Sequence, residues 1–224
     1  EKNTKDDYTY FKGYALLGDE LLGDDAEDGQ GSETKQAGTT NWTATKTKYF
    51  VSAIIPEVPG VGAFAYGMAE LVKRGLHEVV HSAYEKGKPL LAICVGMQLL
   101  FDRSSEFGNH EGLGIVSGDV EQFAKNANQE STLRLPNVGW LPVSRKAASG
   151  GISETVLKDV DETSRFYFIH SFHAPAHTPN TAATASYAGH DFTAIVARDN
   201  LIGTQFHPEK SGPDGLRLLA NFVR

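Results

Sequence analysis

Apolar and polar positions follow different patterns before and after residue 49. Residues 1–48 are rich in Asp, Glu, Lys, Thr and Gly, and residues 23–40 hold almost no large apolar side chain. Because such a composition cannot bury much core, it predicts loop or disordered chain. Within this segment, residues 14–17 and 21–22 are the places where a short strand or helical turn could dock.

From Tyr49 onward the apolar positions become regular. The run "YFVSAII" (residues 49–55) predicts a buried strand, and the Gly- and Pro-rich residues 56–62 predict a loop after it. Apolar residues then recur at steps of three and four, which predicts an amphipathic helix that Gly75 divides into two pieces. Gly87 and Pro89 end this helix. Its apolar stripe consists of Phe64, Met68, Leu71, Val72, Val79, Val80 and Ala83.

A second strand and helix follow directly. The run "PLLAIC" (residues 89–94) predicts a strand buried on both faces, and "VGMQLLF" (residues 95–101) continues as a helix. Alternation of strand and helix predicts an α/β fold with a largely parallel sheet and crossover helices. Further strands are predicted for "FYFIHSFHA", "FTAIVAR" and "LIGTQFH", and a closing helix for residues 215–224.

Cys94, the one cysteine of the chain, falls where the buried strand ends and the helix begins. Gly96 follows two residues later and relieves a tight turn, as in the G-x-nucleophile-x-G elbow, although Ala92 stands at the first glycine position. The N-terminus of the following helix favours a thiolate. The alternative is that Cys94 is core filler, since free cysteine is among the most buried residue types.

The stretch "QFHPEKS" (residues 205–211) supplies a candidate base for this cysteine. On an extended segment His207 and Glu209 point to the same side, so Glu209 can orient His207. The alternative is a surface turn with a satisfied histidine.

Two more features suit acyl transfer. The loop "PGVG" (residues 59–62) directly after a strand can offer backbone N–H groups to an oxyanion, together with Val95. Gln98 lies one helical turn after Cys94 and can bind a polar substrate.

Composition narrows the class of function. The chain has 28 acidic against 21 basic residues, which argues against nucleic-acid binding. No apolar stretch approaches the roughly 18 residues of a membrane span, and the first residues are polar, so neither a membrane segment nor a secretory signal is expected. A single cysteine forms no internal disulfide. We therefore expect a cytoplasmic protein.

A zinc site is a competing interpretation of "HSFHAPAH" (residues 170–177), where His170, His173 and His177 could meet one ion. Pro175 and Pro179 break the helix that would align these side chains. We therefore expect His173 and His177 in loops and predict no metal or other cofactor.

The segments "PGVGAF", "ICVGMQ", "NVGW", "FYFIHSF" and "TQFHPEKSG" stand in the order and approximate spacing of the class I (triad) glutamine amidotransferases, which residues 49–224 therefore resemble. The endings "PGVGAF" and "HPEKSG" are similar to those of the glutaminase subunits of imidazole glycerol phosphate synthases, which act in histidine biosynthesis. The resemblance implies a three-layer, flavodoxin-like α/β domain with a nucleophile elbow.

The resemblance also implies roles. Cys94 would attack the glutamine side-chain amide and form a thioester, His207 would transfer protons, and Glu209 would hold the imidazole. Ammonia would pass to a (β/α)8 barrel cyclase subunit in a heterodimer, with Lys210 at the interface. Trp140 could lie in the core or border the ammonia passage. The implied oxyanion hole is Gly60, Val61, Gly62 and Val95, and the implied glutamine-binding residues are Gln98, His170, Ser171 and Phe172.

The front of the chain departs from the family, which opens with a buried strand carrying a D-Y-G-type motif. Residues 1–48 form an atypical polar segment without that motif. The sheet therefore either lacks this first strand or builds it from residues 14–17. Two other functions stay open at this point: a glutaminase-like scaffold that binds a partner without turnover, and an unrelated thiol hydrolase on a similar fold.

Overall fold

A computed structural model of the chain describes residues 13–16, 49–54, 63–123, 133–146 and 152–223. Its strands are β1 (Gly13–Leu16), β2 (Tyr49–Ile54), β3 (Leu90–Ile93), β4 (Phe101–Ser104), β5 (His110–Glu111), β6 (Val116–Gln122), β7 (Asn137–Pro142), β8 (Ser144–Arg145), β9 (Arg165–His170), β10 (Phe172–His173), β11 (Thr181–Tyr187), β12 (His190–Arg198) and β13 (Leu201–Thr204). The helices are α1 (Ala63–Lys73), α2 (Leu76–Glu85), α3 (Val95–Leu99), α4 (Ile152–Val156) and α5 (Gly212–Val223).

A seven-stranded sheet in the described part of the chain has the order β1-β2-β3-β13-β12-β11-β8. Its centre is parallel, because β3 pairs in parallel with both β2 and β13. The other pairings are antiparallel. The α/β fold is confirmed, but the sheet is mixed where the sequence predicts a largely parallel one.

Two tight turns explain this difference. Only two residues separate β11 from β12, and only two separate β12 from β13. Ala188 (φ 50°), Gly189 (φ 79°) and Asp199 (φ 52°) adopt the left-handed backbone that such short hairpins require. A two-residue turn can join only antiparallel strands, since a parallel pair needs a long crossover.

Helices cover the sheet on both faces. In β3, Leu90 and Ala92 pack into one apolar cluster with Phe64 of α1 and Val80 of α2. Leu91 and Ile93 point the other way, into a cluster that includes Val156 of α4 and Leu218 and Phe222 of α5. This alternation buries β3 on both sides and produces three layers.

The helical segments differ from the predicted ones in their ends. Gly75 has φ 68° and divides α1 from α2, as predicted. Helix α3 ends at Leu99, because the N–H groups of Leu113 and Ile115 bond to the carbonyls of Leu99 and Leu100 and compete with further helical bonds. The predicted helix over residues 95–101 is therefore two residues too long. Helix α5 begins at Gly212, three residues before the predicted start.

Strand β1 builds the edge of the sheet from residues 13–16, antiparallel to β2. This agrees with the second of the two alternatives for the front of the chain, with the strand starting one residue before the predicted residues 14–17. The other residues before Tyr49, and residues 55–62 with their predicted loop, lie outside the described part. No helix in that part is both long and apolar enough to cross a membrane.

Candidate active site

Cys94 sits at the junction of β3 and α3, as predicted. Its backbone has φ 53° and ψ −113°, a conformation that costs of order 1–3 kcal/mol for a residue with a side chain. The neighbouring strand holds this turn, since the Cys94 N–H donates to the Thr204 carbonyl at 2.7 Å. The side chain is 7% exposed. The strained turn supports the nucleophile-elbow interpretation over that of core filler.

His207 and Glu209 form a hydrogen-bonded pair just after β13. The distance from His207 Nδ1 to Glu209 Oε1 is 2.6 Å. His207 has an extended backbone, and its N–H donates to the Tyr167 carbonyl of β9 at 2.9 Å. Pro208 begins a short 3-10 turn (Pro208–Lys210) that turns Glu209 back toward the ring.

Cys94 and His207 interact through their side chains. Burial lowers the pKa of the His207 imidazole, but hydrogen bonds to Cys94 and Glu209 and the negative charges of both groups outweigh it and raise the pKa to about 9. An imidazolium between a sulfur and a carboxylate is therefore favoured. Nδ1 faces Glu209, so Nε2 is the nitrogen left to exchange a proton with the sulfur.

Ser211 holds His207 in place and was not predicted from the sequence. Its Oγ donates to the His207 carbonyl at 2.6 Å and accepts from the Tyr167 N–H at 2.9 Å. Ser211 is 2% exposed. The only sequence signal was its place at the end of the "HPEKS" segment.

Gln98 is buried and forms hydrogen bonds within the protein. Its Nε2 donates to the Phe172 carbonyl at 2.8 Å and to Gln205 Oε1 at 3.0 Å. The structure thus brings together two of the predicted substrate-binding residues, Gln98 and Phe172. Gln205, which joins them to Cys94, was not singled out from the sequence.

His170 is buried behind this edge. Its Nδ1 lies 2.9 Å from the Phe172 carbonyl, and its Nε2 lies 3.0 Å from Asn137 Nδ2. Because a carbonyl only accepts, the proton resides on Nδ1, and Nε2 accepts from the amide. Burial lowers the pKa of His170 to about 3, so the ring is neutral at physiological pH. Its ring supports the Phe172 backbone.

The remaining predicted residues occupy varied places. Val95 is half-buried as the first residue of α3, and half-buried Ser171 separates β9 from β10. Lys210 is exposed beside His207 and Glu209. Gly60, Val61 and Gly62 lie outside the described residues.

The histidine prediction needs one correction. His173 lies in β10 and is 5% exposed, so its placement in a loop was wrong. Its ring centroid is 4.2 Å from that of Phe123, and burial lowers its pKa. Strand pairing with β6 draws it inward despite the nearby prolines. His177 lies in a turn. Within the described ranges, no group of three or more His, Cys, Asp or Glu side chains could hold a metal ion.

Beside the thiol lies an exposed apolar surface, here called the β7–β9 patch: Val138, Trp140 and Ile169. Val138 and Ile169 are direct cross-strand partners. The three side chains are 54%, 47% and 40% exposed, so Trp140 is not a core residue. The Ile169 carbonyl lies 3.9 Å from Cys94 Sγ, which places the patch next to the candidate nucleophile.

Comparison with known proteins agrees with this geometry. The model of the glutamine amidotransferase class-I family matches residues 50–224. Imidazole glycerol phosphate synthase subunit HisH of Sulfurimonas denitrificans is 41% identical over 167 residues, which cover 75% of this chain and 77% of the relative. The corresponding subunit of Wolinella succinogenes is 43% identical over 165 residues, with 74% and 78% covered. The subunit of Geobacter metallireducens is 43% identical over 168 residues, with 74% and 77% covered. The chain therefore belongs to the class-I glutamine amidotransferases and, within them, to the family of imidazole glycerol phosphate synthase HisH subunits.

Proposed function

We propose that this chain hydrolyses glutamine to glutamate and ammonia as the glutaminase subunit of an imidazole glycerol phosphate synthase in histidine biosynthesis. The observation that carries the proposal is the strained Cys94 turn beside the His207–Glu209 pair. The reaction takes place in the cytoplasm, where reducing conditions keep Cys94 as a free thiol.

In the first half of the reaction, Cys94 reacts as a thiolate paired with the His207 imidazolium, whose Nε2 holds the proton. The sulfur attacks the side-chain amide carbon of glutamine and forms a tetrahedral intermediate. The carbon–nitrogen bond then breaks as His207 returns the proton to the departing nitrogen, which leaves ammonia and a glutamyl thioester. Glu209 stabilises the imidazolium and fixes its Nδ1–H.

In the second half, water replaces ammonia as the partner of His207. The imidazole accepts a proton from water, whose oxygen attacks the thioester carbon. The carbon–sulfur bond breaks, glutamate leaves, and the sulfur departs as a thiolate that is again paired with the protonated His207. In both halves the Val95 N–H and the loop of Gly60, Val61 and Gly62 stabilise the oxyanion.

Glutamine binds along the edge formed by Gln98, Ser171 and Phe172. His170 acts there through the Phe172 carbonyl that its Nδ1–H holds. The bonds from Gln98 and His170 to this one carbonyl support a fixed substrate edge.

Ammonia passes to a (β/α)8 barrel cyclase subunit that docks over the β7–β9 patch, with Lys210 at the interface. Two observations support this docking. An exposed cluster that includes Trp140 is typical of an interaction surface. The patch also adjoins the sulfur at which ammonia would be released.

The test is glutamate release from glutamine by the purified chain, alone and mixed with a barrel cyclase and its ribonucleotide ligand. We expect release to rise sharply in the mixture and to disappear in Cys94→Ala. Glu154→Gln, a change of an exposed carboxylate in α4, is the matched surface control. Release by Cys94→Ala, or no release by the folded wild-type complex, would refute the proposal. Trp140→Ala tests docking separately: unchanged affinity for the cyclase would exclude the β7–β9 patch.

A further inference from the structure

Gln205 lies at the centre of a hydrogen-bonded chain that runs from the candidate nucleophile to the substrate edge. Its side chain is fully buried, two residues before His207. Its Nε2 lies 3.8 Å from Cys94 Sγ, and its Oε1 lies 3.0 Å from Gln98 Nε2. This series of hydrogen bonds ends at the Phe172 carbonyl, whose oxygen lies 2.8 Å from Gln98 Nε2.

The donor and acceptor of each hydrogen bond in this series can be assigned by starting from the Phe172 carbonyl. The Phe172 carbonyl only accepts, so the nitrogen of the Gln98 amide must face it. The second N–H of that amide donates to Gln205 Oε1. The nitrogen of Gln205 therefore faces Cys94, and its N–H is a donor directed at the sulfur.

A second polar neighbour of the sulfur, the Ile169 carbonyl, favours the neutral thiol over the thiolate. The Ile169 carbonyl, 3.9 Å from Sγ, accepts a bond from the thiol and offers nothing to a thiolate. A donor such as the Gln205 N–H bonds better to the charged sulfur than to the neutral one. The Gln205 backbone N–H donates to the Ala194 carbonyl at 2.9 Å, which fixes the base of the side chain.

We propose that Gln205 is a positioning residue that donates a hydrogen bond to the Cys94 thiolate and, through its oxygen, holds the Gln98 amide toward Phe172. The inference rests on the proposed function, because it gives this residue a part in the same reaction. The same Gln205 side chain would thereby stabilise the Cys94 thiolate and keep the Gln98 amide fixed at the substrate edge. The titratable group bonded to the sulfur is His207, with Glu209 behind it, and the neutral His170 lies at the far end of the hydrogen-bonded series, against the Phe172 carbonyl.

Two substitutions separate the two bonds of this side chain. Gln205→Met keeps the approximate shape and removes both the donor and the acceptor. Gln205→Glu keeps an oxygen for the Gln98 amide and removes the amide donor. Thr193→Val is the matched control, because Thr193 is a fully buried hydrogen-bonding residue of β12 with no bond to Cys94.

The readout is the rate of iodoacetamide alkylation as a function of pH, which reports one site since Cys94 is the only cysteine. We expect the midpoint to move up by about one pH unit in both Gln205 variants and to stay unchanged in Thr193→Val. With the cyclase present, kcat should fall about tenfold in both variants, and KM should rise only in Gln205→Met.

Circular dichroism and thermal unfolding establish that each variant is folded. A wild-type alkylation midpoint in either folded Gln205 variant would overturn the inference, as would an equal shift in Thr193→Val. Alkylation needs no glutamine turnover. If the alkylation midpoint is shifted in the Gln205 variants but the wild-type complex shows no glutaminase activity, the proposed function is refuted. The hydrogen bond from Gln205 to the Cys94 thiolate would still be supported.

Discussion

Acid should destabilise this fold through His170. The folded pKa of this buried imidazole is about 3, whereas an unfolded histidine titrates near 6.5. Between these values the unfolded chain binds a proton that the folded chain does not, so the free energy of unfolding falls as the pH falls below 6.5. At 1.36 kcal/mol per pH unit, the loss from His170 alone is about 2 kcal/mol at pH 5.

The structure gives the local reason for this cost. A proton added to His170 would fall on Nε2, which accepts from the Asn137 amide, and two donors would then face each other. The Phe172 carbonyl would keep its bond to Nδ1. His207 does not mask the effect well below pH 6.5, because its raised pKa of about 9 keeps it protonated in the folded state and its ordinary pKa near 6.5 keeps it protonated in the unfolded chain.

His170→Asn tests this reasoning, since asparagine can still donate to the Phe172 carbonyl but does not titrate. Urea unfolding of both proteins between pH 5 and 8 provides the measurement. The variant should be less stable than wild type at pH 7, because the Asn137 amide loses its acceptor, and the difference should shrink by about 2 kcal/mol at pH 5. A constant difference across this range would show that His170 is not the group responsible.

Three more predictions concern the reacting groups. Glu209→Gln removes the charge that helps to raise the His207 pKa. We therefore expect kcat to be about tenfold lower and the alkaline limb of the pH–rate profile to move to lower pH, and an unmoved limb would contradict the pairing. Ser211→Ala leaves the part-buried Tyr167 N–H without its acceptor. It should cost about 1–3 kcal/mol in urea unfolding and lower kcat, whereas full stability would exclude the positioning role. Cys94→Gly should be about 1 kcal/mol more stable than Cys94→Ala, because glycine relieves the backbone strain, although both should lack glutaminase activity. Equal unfolding midpoints would mean that the turn stores no strain.

Local patterns in the sequence were sufficient for some features. The Cys94 junction was predictable because an apolar run ends there and a glycine follows, and both signals lie within a few residues. His207 and Glu209 were predictable as a pair because extended backbone places alternate residues on one side. Gly75 divided the helices as its conformational freedom indicated.

Features set by tertiary contacts were not predictable in this way. Gln205 bonds to Cys94 and Ser211 bonds to Tyr167, partners more than 40 residues away, and nothing adjacent in sequence signals those bonds. The early end of α3 has the same origin, since distant N–H groups bond to its last carbonyls. His173 was misplaced because pairing with β6 outweighed the local effect of proline.

The parallel pairing of β3 with β13 has a consequence for how the enzyme would lose activity. Cys94 follows the last residue of β3, and His207 follows the end of β13, so the strand spacing of about 4.8 Å sets how closely nucleophile and base approach. Both strands lie in the centre of the sheet, where opening requires nearly the full free energy of unfolding. Fraying of the sheet edges would leave these two groups in register. Thermal inactivation of hydrolysis should therefore coincide with cooperative melting of the domain and should not precede it.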